Sequence, residues 1–309
     1  MKLILDEKKI RKGRPIGLPY IGSKKKIAKK LIEIIKQNFG TDKTVYDLFG
    51  GGGAITLECK LQGLDVVYND IDPIPGQMIQ KILSEDREYL KTLICSREEF
   101  FQIRDKEDKS VDDHLKLLIN SFGNDGRSYL YSKKDSDFKY RLAKEIIKNH
   151  DCFSGYKRTE TFKNFVSDKG REIKLQQLQR VSQAERIIGG DMEILRIQAL
   201  EHLAVLELLG VIPSIDIQNK DYKEFSDIEN SIIYLDPPYK NTNKVYKYNN
   251  LDYEEFYRWC KDMSKENIVL ISGYHMPDDF EIVYEFKTAR STLQGGFHAD
   301  KYEKLYMIK

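Results

Sequence analysis

Thr44-Val45-Tyr46-Asp47-Leu48-Phe49 runs straight into Gly50-Gly51-Gly52-Gly53, then into residues 54–61 (AITLECKL), and, past Gly63, into Asp65-Val66-Val67-Tyr68-Asn69-Asp70. The first and last pieces are short, largely apolar runs rich in β-branched and aromatic residues, as buried strands are. The piece between them reads as a helix, which the four glycines separate from the first strand. Strand, helix and strand in this span make a βαβ unit, and its natural consequence is a parallel, buried sheet. Working outward, residues 231–235 (SIIYL) and 268–272 (IVLIS) are two further buried strands, with a helix over 253–264 between them. Residues 282–286 and 305–308 supply closing strands. Upstream, Ile27, Leu31, Ile34, Ile35 and Phe39 recur at helical spacing, with Ser23 as N-cap and Gly40 as stop. The chain is α/β.

Residues 85–211 have a different texture. Charged helical segments lead to a turn-rich patch, Ser121-Phe122-Gly123-Asn124-Asp125-Gly126, and then to amphipathic stretches at 173–181 and 192–209. In the second stretch Leu195, Leu200, Leu203, Leu206 and Leu209 form an apolar stripe that reads as packed core, with Asp191 as N-cap. The segment is expected to be a mainly helical insertion. It divides the chain into 1–84, 85–211 and 212–309, the outer two completing one α/β domain.

The 309 residues hold 51 Lys+Arg against 49 Asp+Glu, and 40% are hydrophobic, which is too apolar for a disordered chain. No apolar run approaches the ~20 residues of a membrane helix. Asp6 interrupts the opening apolar residues too soon for a signal peptide. Cys59, Cys95, Cys152 and Cys260 contain no CxxC pair, so neither a disulfide framework nor a metal site is indicated, and a cytoplasmic setting is expected. Positive charge is concentrated at Lys8, Lys9, Arg11, Lys12, Arg14, Lys24, Lys25, Lys26, Lys29 and Lys30, with no acidic residue among them. Such a run is either a solvated face or a contact for phosphate.

Two clusters carry chemistry. In the first, the glycines after Asp47-Leu48-Phe49 allow a sharp turn and a close approach to a ligand, at a helix N-terminus that favours anionic groups. No Gly-Lys-Ser/Thr follows, which argues against a nucleotide P-loop. Asp70 stands seventeen positions beyond Gly53, where an acid at the end of the next strand can accept hydrogen bonds from a ribose. Together they imply a nucleoside-containing cofactor. The second cluster is Tyr234-Leu235-Asp236-Pro237-Pro238-Tyr239. Two prolines after a buried strand fix the chain direction and remove backbone donors. Asp236 and the Pro237 carbonyl can accept the two hydrogens of an exocyclic amine, and Tyr239 offers a ring on which a base can stack.

These residues resemble the D12, or Dam-like, class of adenine-specific DNA N6-methyltransferases found in bacteria and phages. Asp236-Pro237-Pro238-Tyr239 is similar to that class's catalytic motif. Asp47, Phe49, Gly50, Gly51 and Gly52 resemble its S-adenosyl-L-methionine loop, and Asp70 the acid that holds the cofactor ribose. Tyr20-Ile21-Gly22-Ser23-Lys24 resembles an N-terminal motif whose aromatic flanks the cofactor adenine and whose lysine lies near the methionine end. Asp221-Tyr222 is similar to a pair that contacts the same adenine, and Ile271-Ser272-Gly273-Tyr274 to a motif supporting the target-base pocket. Pro19 and the extra glycine depart from the usual pattern. The resemblance implies a Rossmann-like S-adenosylmethionine-dependent methyltransferase sheet with an inserted, mainly helical target-recognition domain. It also implies double-stranded DNA as substrate and allows a cognate restriction endonuclease as partner.

The implied chemistry is direct, in-line methyl transfer to the N6 amine of a flipped adenine. Arg127 and Asn124 on the turn of the insertion, and Lys240 after the catalytic motif, are the candidate DNA contacts; Lys8–Lys30 and 157–180 could touch phosphates. A cytosine C5-methyltransferase needs a Pro-Cys nucleophile, and no cysteine here follows a proline. A cytosine-N4 enzyme, which usually has Ser at the position of Asp236, and a catalytically silent DNA-binding relative remain as alternatives.

Overall fold

The computed structural model describes residues 2–20, 22–150, 160, 200, 214–238, 251–290 and 302–309. The chain runs through α1 (Ala28–Phe39), β1 (Val45–Asp47), α2 (Ala54–Leu61), β2 (Val66–Asn69) and α3 (Pro73–Ser84). Helices α4 (Arg87–Thr92), α5 (Arg97–Arg104), α6 (Val111–Asn120) and α7 (Ser136–His150) follow. The chain then returns to β3 (Asp216–Gln218), β4 (Ile232–Leu235), α8 (Tyr253–Met263), β5 (Ile268–Gly273), β6 (Phe280–Arg290) and β7 (Tyr302–Ile308).

All seven strands form one sheet in the order β3-β2-β1-β4-β5-β7-β6. β1 pairs in parallel with β2 and β4, as do β2 with β3 and β4 with β5; β7 pairs antiparallel with both β5 and β6. This is a Rossmann-like sheet, as expected. Strand order reverses between β1 and β4, and open α/β sheets bind ligands at the carboxyl ends of strands beside such a switch point. The register is level there, because Asp47 lies opposite both Tyr68 and Tyr234. The loops after β1, β2 and β4 therefore leave the sheet at one edge.

The continuous apolar run of β4 follows from burial on both faces. Ile232 and Tyr234 join a cluster with Leu31, Ile35, Val45 and Ile55 beneath α1 and α2. Ile233 and Leu235 point the other way, to Phe256, Trp259 and Cys260 of α8. The side-chain period of two sorts them. Of the expected elements, the helix from Ser23 begins as a 3₁₀ turn at Lys24–Lys26, capped by the Ser23 hydroxyl, before α1 proper. β3 was not legible: Asp216-Ile217-Gln218 is a polar, three-residue edge strand.

The chain divides into two compact units, Met1–Gln80 with Leu206–Lys309, and Lys81–Val205. The second has its own core of Cys95, Phe100, Ile103, Leu117 and Tyr129. Buried Asn120 donates to the carbonyls of Leu93 and Lys116. The amphipathic stretches expected at 173–181 and 192–209 lie outside the described residues, apart from buried Leu200. Among the described residues, no helix is long and apolar enough to cross a membrane.

The basic run has partners within the protein. Arg11 forms a two-pronged ion pair with Glu58 of α2, at 2.7 and 2.8 Å. Lys25 and Lys29 donate to the carbonyls of Gly17 and Gly13, Lys30 pairs with Glu7, and Lys24 pairs with Asp236. These five cations tie the N-terminal arm to the sheet domain. Each of the five has a carboxylate or carbonyl close at hand. Residues 157–180 lie outside the described residues, save Glu160.

Candidate active site

The glycine loop after β1 is held from three sides. Gly50 N–H donates to the Asn69 carbonyl and Gly53 N–H to that of Gly50, both at 2.8 Å. The Tyr68 hydroxyl donates to the Gly51 carbonyl, also at 2.8 Å. A Cβ on Gly50 would stand 2.2 Å from the Tyr68 ring, and one on Gly52 2.7 Å from Cβ of Tyr20. Gly50 and Gly52 are thus required by the protein's own aromatic side chains. The sequence alone points to a sharp turn and a close approach to a ligand, without these aromatic neighbours. Gly53 then starts α2 in a left-handed conformation, φ 70°.

Asp70, at the end of β2, accepts from Gly51 N–H at 2.8 Å with one oxygen and from Asp72 N–H at 2.9 Å with the other. Burial raises its pKa to about 6, and the two backbone donors oppose the rise. Asp47 is fully enclosed beneath the loop, where one oxygen accepts from both the amide and hydroxyl of Thr56. Burial pushes it up to about 7. Both residues line the same cavity, and burial favours the neutral form of each carboxyl.

The segment before α1 crosses over the glycines. Leu18 N–H donates to the Gly52 carbonyl at 2.8 Å, which lays the Tyr20 ring against Gly51. Ser23 caps the next turn, and that turn carries Lys24 to the far side of the cavity. There Lys24 Nζ lies 2.7 Å from Oδ2 of Asp236 and 3.9 Å from Glu303 of β7. The other oxygen of Asp236 accepts from the Ser272 hydroxyl at 2.9 Å. Asp236 leaves β4 at the switch point, followed by Pro237 and Pro238; the Tyr253 hydroxyl at the start of α8 donates to the Pro238 carbonyl. Asp221 caps a 3₁₀ turn, and Tyr222 within it packs on Phe49, Phe256 and Trp259.

One cavity of about 430 Å³ joins these parts. Tyr20, Asp47, Phe49, Gly50, Gly51, Gly52, Asp70, Asp221 and Tyr222 line it together with Lys24, Asp236, Pro237 and Pro238. Its size, its glycine floor, its aromatic wall and a carboxylate at each end suit a nucleoside joined to a short charged chain.

A model of the D12 class N6 adenine-specific DNA methyltransferase family matches residues 20–189, over half of the chain. The chain belongs to that family. This methyltransferase is also similar, at 23% identity over 290 residues and 87% of each chain, to the Type II methyltransferase M.MjaIII of Methanocaldococcus jannaschii. The enzyme is an adenine-N6 DNA methyltransferase. The family match begins at Tyr20 and ends before Asp236, so roles at the Asp236 end are argued from motif and geometry.

Tyr239 and Lys240 lie outside the described residues. Asn124 and Arg127 belong to the second unit, where Arg127 is exposed and Asn124 takes φ 61° with its buried Oδ1 lacking a hydrogen-bond partner. Phe122 is exposed on the same turn. Sequence reading passed over Thr56, Tyr68, Tyr253 and Glu303 as contributors to the methyltransferase site, and quoted Tyr234 without giving it a role. Tyr234 carried a signal, a hydroxyl-bearing residue in an aliphatic strand and two positions from Asp236. Glu303 carried none.

Proposed function

We propose that this methyltransferase draws its methyl group from S-adenosyl-L-methionine held along the glycine-loop side of the cavity. An adenine flipped out of duplex DNA enters at the Asp236 side. The observation that carries this reading is the shared cavity, which brings a ribose-binding type of acid, Asp70, and an amine acceptor, Asp236, to the carboxyl edge of one sheet. S-adenosylmethionine supplies a methyl group on a cationic sulfur; the rest is done by the chain.

Tyr20 and Tyr222 flank the cofactor adenine, with Asp221 beside it. Each oxygen of Asp70 already takes one backbone N–H and keeps a lone pair for a ribose hydroxyl. Asp47 and Phe49 form the base of the cradle with Gly50, Gly51 and Gly52. At the other end, the nitrogen of the target amine is a poor nucleophile because its lone pair is delocalised into the ring. Asp236 Oδ2 and the Pro237 carbonyl accept its two hydrogens and turn the lone pair out of the ring plane. Attack in line then needs no covalent enzyme intermediate. The contribution is positioning and preorganised charge. Lys24 gives up Oδ2 when the amine arrives. Pro238 fixes the loop and Tyr239 stacks on the base, whose extrusion costs a few kcal/mol. The 85–211 segment reads the DNA, with Asn124 and Arg127 as contacts, and Lys240 after the catalytic motif adds a further one.

Incubation of the protein with labelled S-adenosylmethionine and unmethylated plasmid, followed by digestion to nucleosides, tests this. Label in N6-methyladenine alone is expected. Label in N4-methylcytosine would overturn the assignment of the base, and DNA without label would overturn the function.

A further inference from the structure

We propose that Tyr234 and Ser272 are positioning residues for Asp236, acting in series as one chain of hydroxyls. The Tyr234 Oη lies 2.9 Å from Ser272 Oγ, and Ser272 Oγ lies 2.9 Å from Oδ1 of Asp236. A hydroxyl has one proton to give. Ser272 gives its proton to the carboxylate, so Tyr234 donates to the remaining lone pair of Ser272. Both residues are buried in the sheet, and the pairing of Leu235 with Ile271 sets Asp236 beside Ser272. Burial, reinforced by the nearby Asp236 charge, holds the Tyr234 phenol protonated.

The chain pins one oxygen of Asp236 and leaves the other turned to the cavity, where Lys24 now stands. A neutral donor on Oδ1 fixes the rotation of the carboxylate without cancelling its charge, as a second cation would. Cooperative hydrogen bonding makes Ser272 a better donor while Tyr234 is behind it. The proposal rests on Asp236 being the amine acceptor. It adds two residues whose hydroxyls act through Asp236 and not on the reacting amine.

The test compares Tyr234→Phe, Ser272→Ala, the double variant, Ser272→Thr and Asp236→Ala. Each is measured for kcat and KM on unmethylated plasmid, for S-adenosylmethionine affinity by calorimetry, and for Tm. Ser272→Ala should lower kcat about tenfold, in line with the loss of a hydrogen bond to a charged group. Tyr234→Phe should lower it severalfold, and the double variant should match Ser272→Ala, because Tyr234 acts only through the serine. KM and cofactor affinity should hold, and Ser272→Thr should restore kcat. Losses that multiply in the double variant, or that track Tm, would overturn the chain. So would wild-type kcat in both single variants beside an inactive Asp236→Ala. Wild-type turnover in Asp236→Ala would instead remove the acceptor on which the proposal rests.

Discussion

The two loops that meet at the switch point are built on opposite plans. After β1, four glycines carry no side chains, and the loop is fixed by backbone hydrogen bonds and by the Tyr20 and Tyr68 rings against it. After β4, two prolines carry no backbone donors, and the loop is fixed by the hydroxyls of Ser272 and Tyr253. Their carboxylates differ in the same way. Asp70 is held by two peptide N–H groups that cannot leave without unfolding the loop. Asp236 is held by the ends of two side chains, one of them a lysine with Glu303 as an alternative neighbour. In the proposed function, the cofactor end is a fixed cradle, and the chemical end is a site whose present partner is exchanged for a substrate amine.

The fixed side should respond to substitution with lost stability. Arg11→Met leaves Glu58 fully buried on α2 without its guanidinium, and we expect about 3 kcal/mol of destabilisation in urea unfolding. A change below 0.5 kcal/mol would show that the N-terminal arm is not strapped to the cradle. Gly50→Ala forces the Tyr68 ring aside and should cost about 2 kcal/mol along with cofactor affinity. If calorimetry and Tm are both unchanged, the loop is not constrained by Tyr68.

A pH experiment sharpens the same contrast. Burial raises Asp47 to about 7 and Asp70 to about 6, so the folded state binds protons that the unfolded chain has already released above about pH 4. Their contribution to stability is therefore fully present below about pH 4, is lost as pH rises from there through 6 and 7, and is level above. Asp47→Asn removes the upper part of this slope and should be more stable than the parent by about 1–2 kcal/mol at pH 8, with a smaller gain at pH 5. A gain independent of pH would mean that Asp47 is ionised at both. The smallest effect is expected at Tyr20→Ala, about 1 kcal/mol in S-adenosylmethionine affinity through lost stacking. Unchanged affinity would take Tyr20 out of the cradle.

Much of the contrast was legible in the residues. Glycine and proline write backbone geometry directly into sequence, so both loops and the strands that feed them were readable, as were α2 and the acids Asp70 and Asp236. What was hidden depends on contacts between distant positions. Whether Lys24 lies on Asp236, or Arg11 on Glu58, is decided by folding and not by spacing, and a basic run looks the same solvated or paired. β3 escaped because an edge strand of three polar residues has no periodicity to detect. Glu303 sits in a strand whose sequence marks only its pairing.

The central claim is that cofactor binding and methyl-transfer chemistry belong to different carboxylates. The most direct measurement sets Asp70→Ala beside Asp236→Ala, recording for each the S-adenosylmethionine Kd by calorimetry and the single-turnover rate at saturating cofactor. The expected result is a crossing. Asp70→Ala weakens cofactor binding by about 1–3 kcal/mol and recovers most of its rate at saturation. Asp236→Ala binds the cofactor nearly as well as the parent and loses at least about 100-fold in rate. Two variants that lose affinity and rate in the same proportion would contradict it.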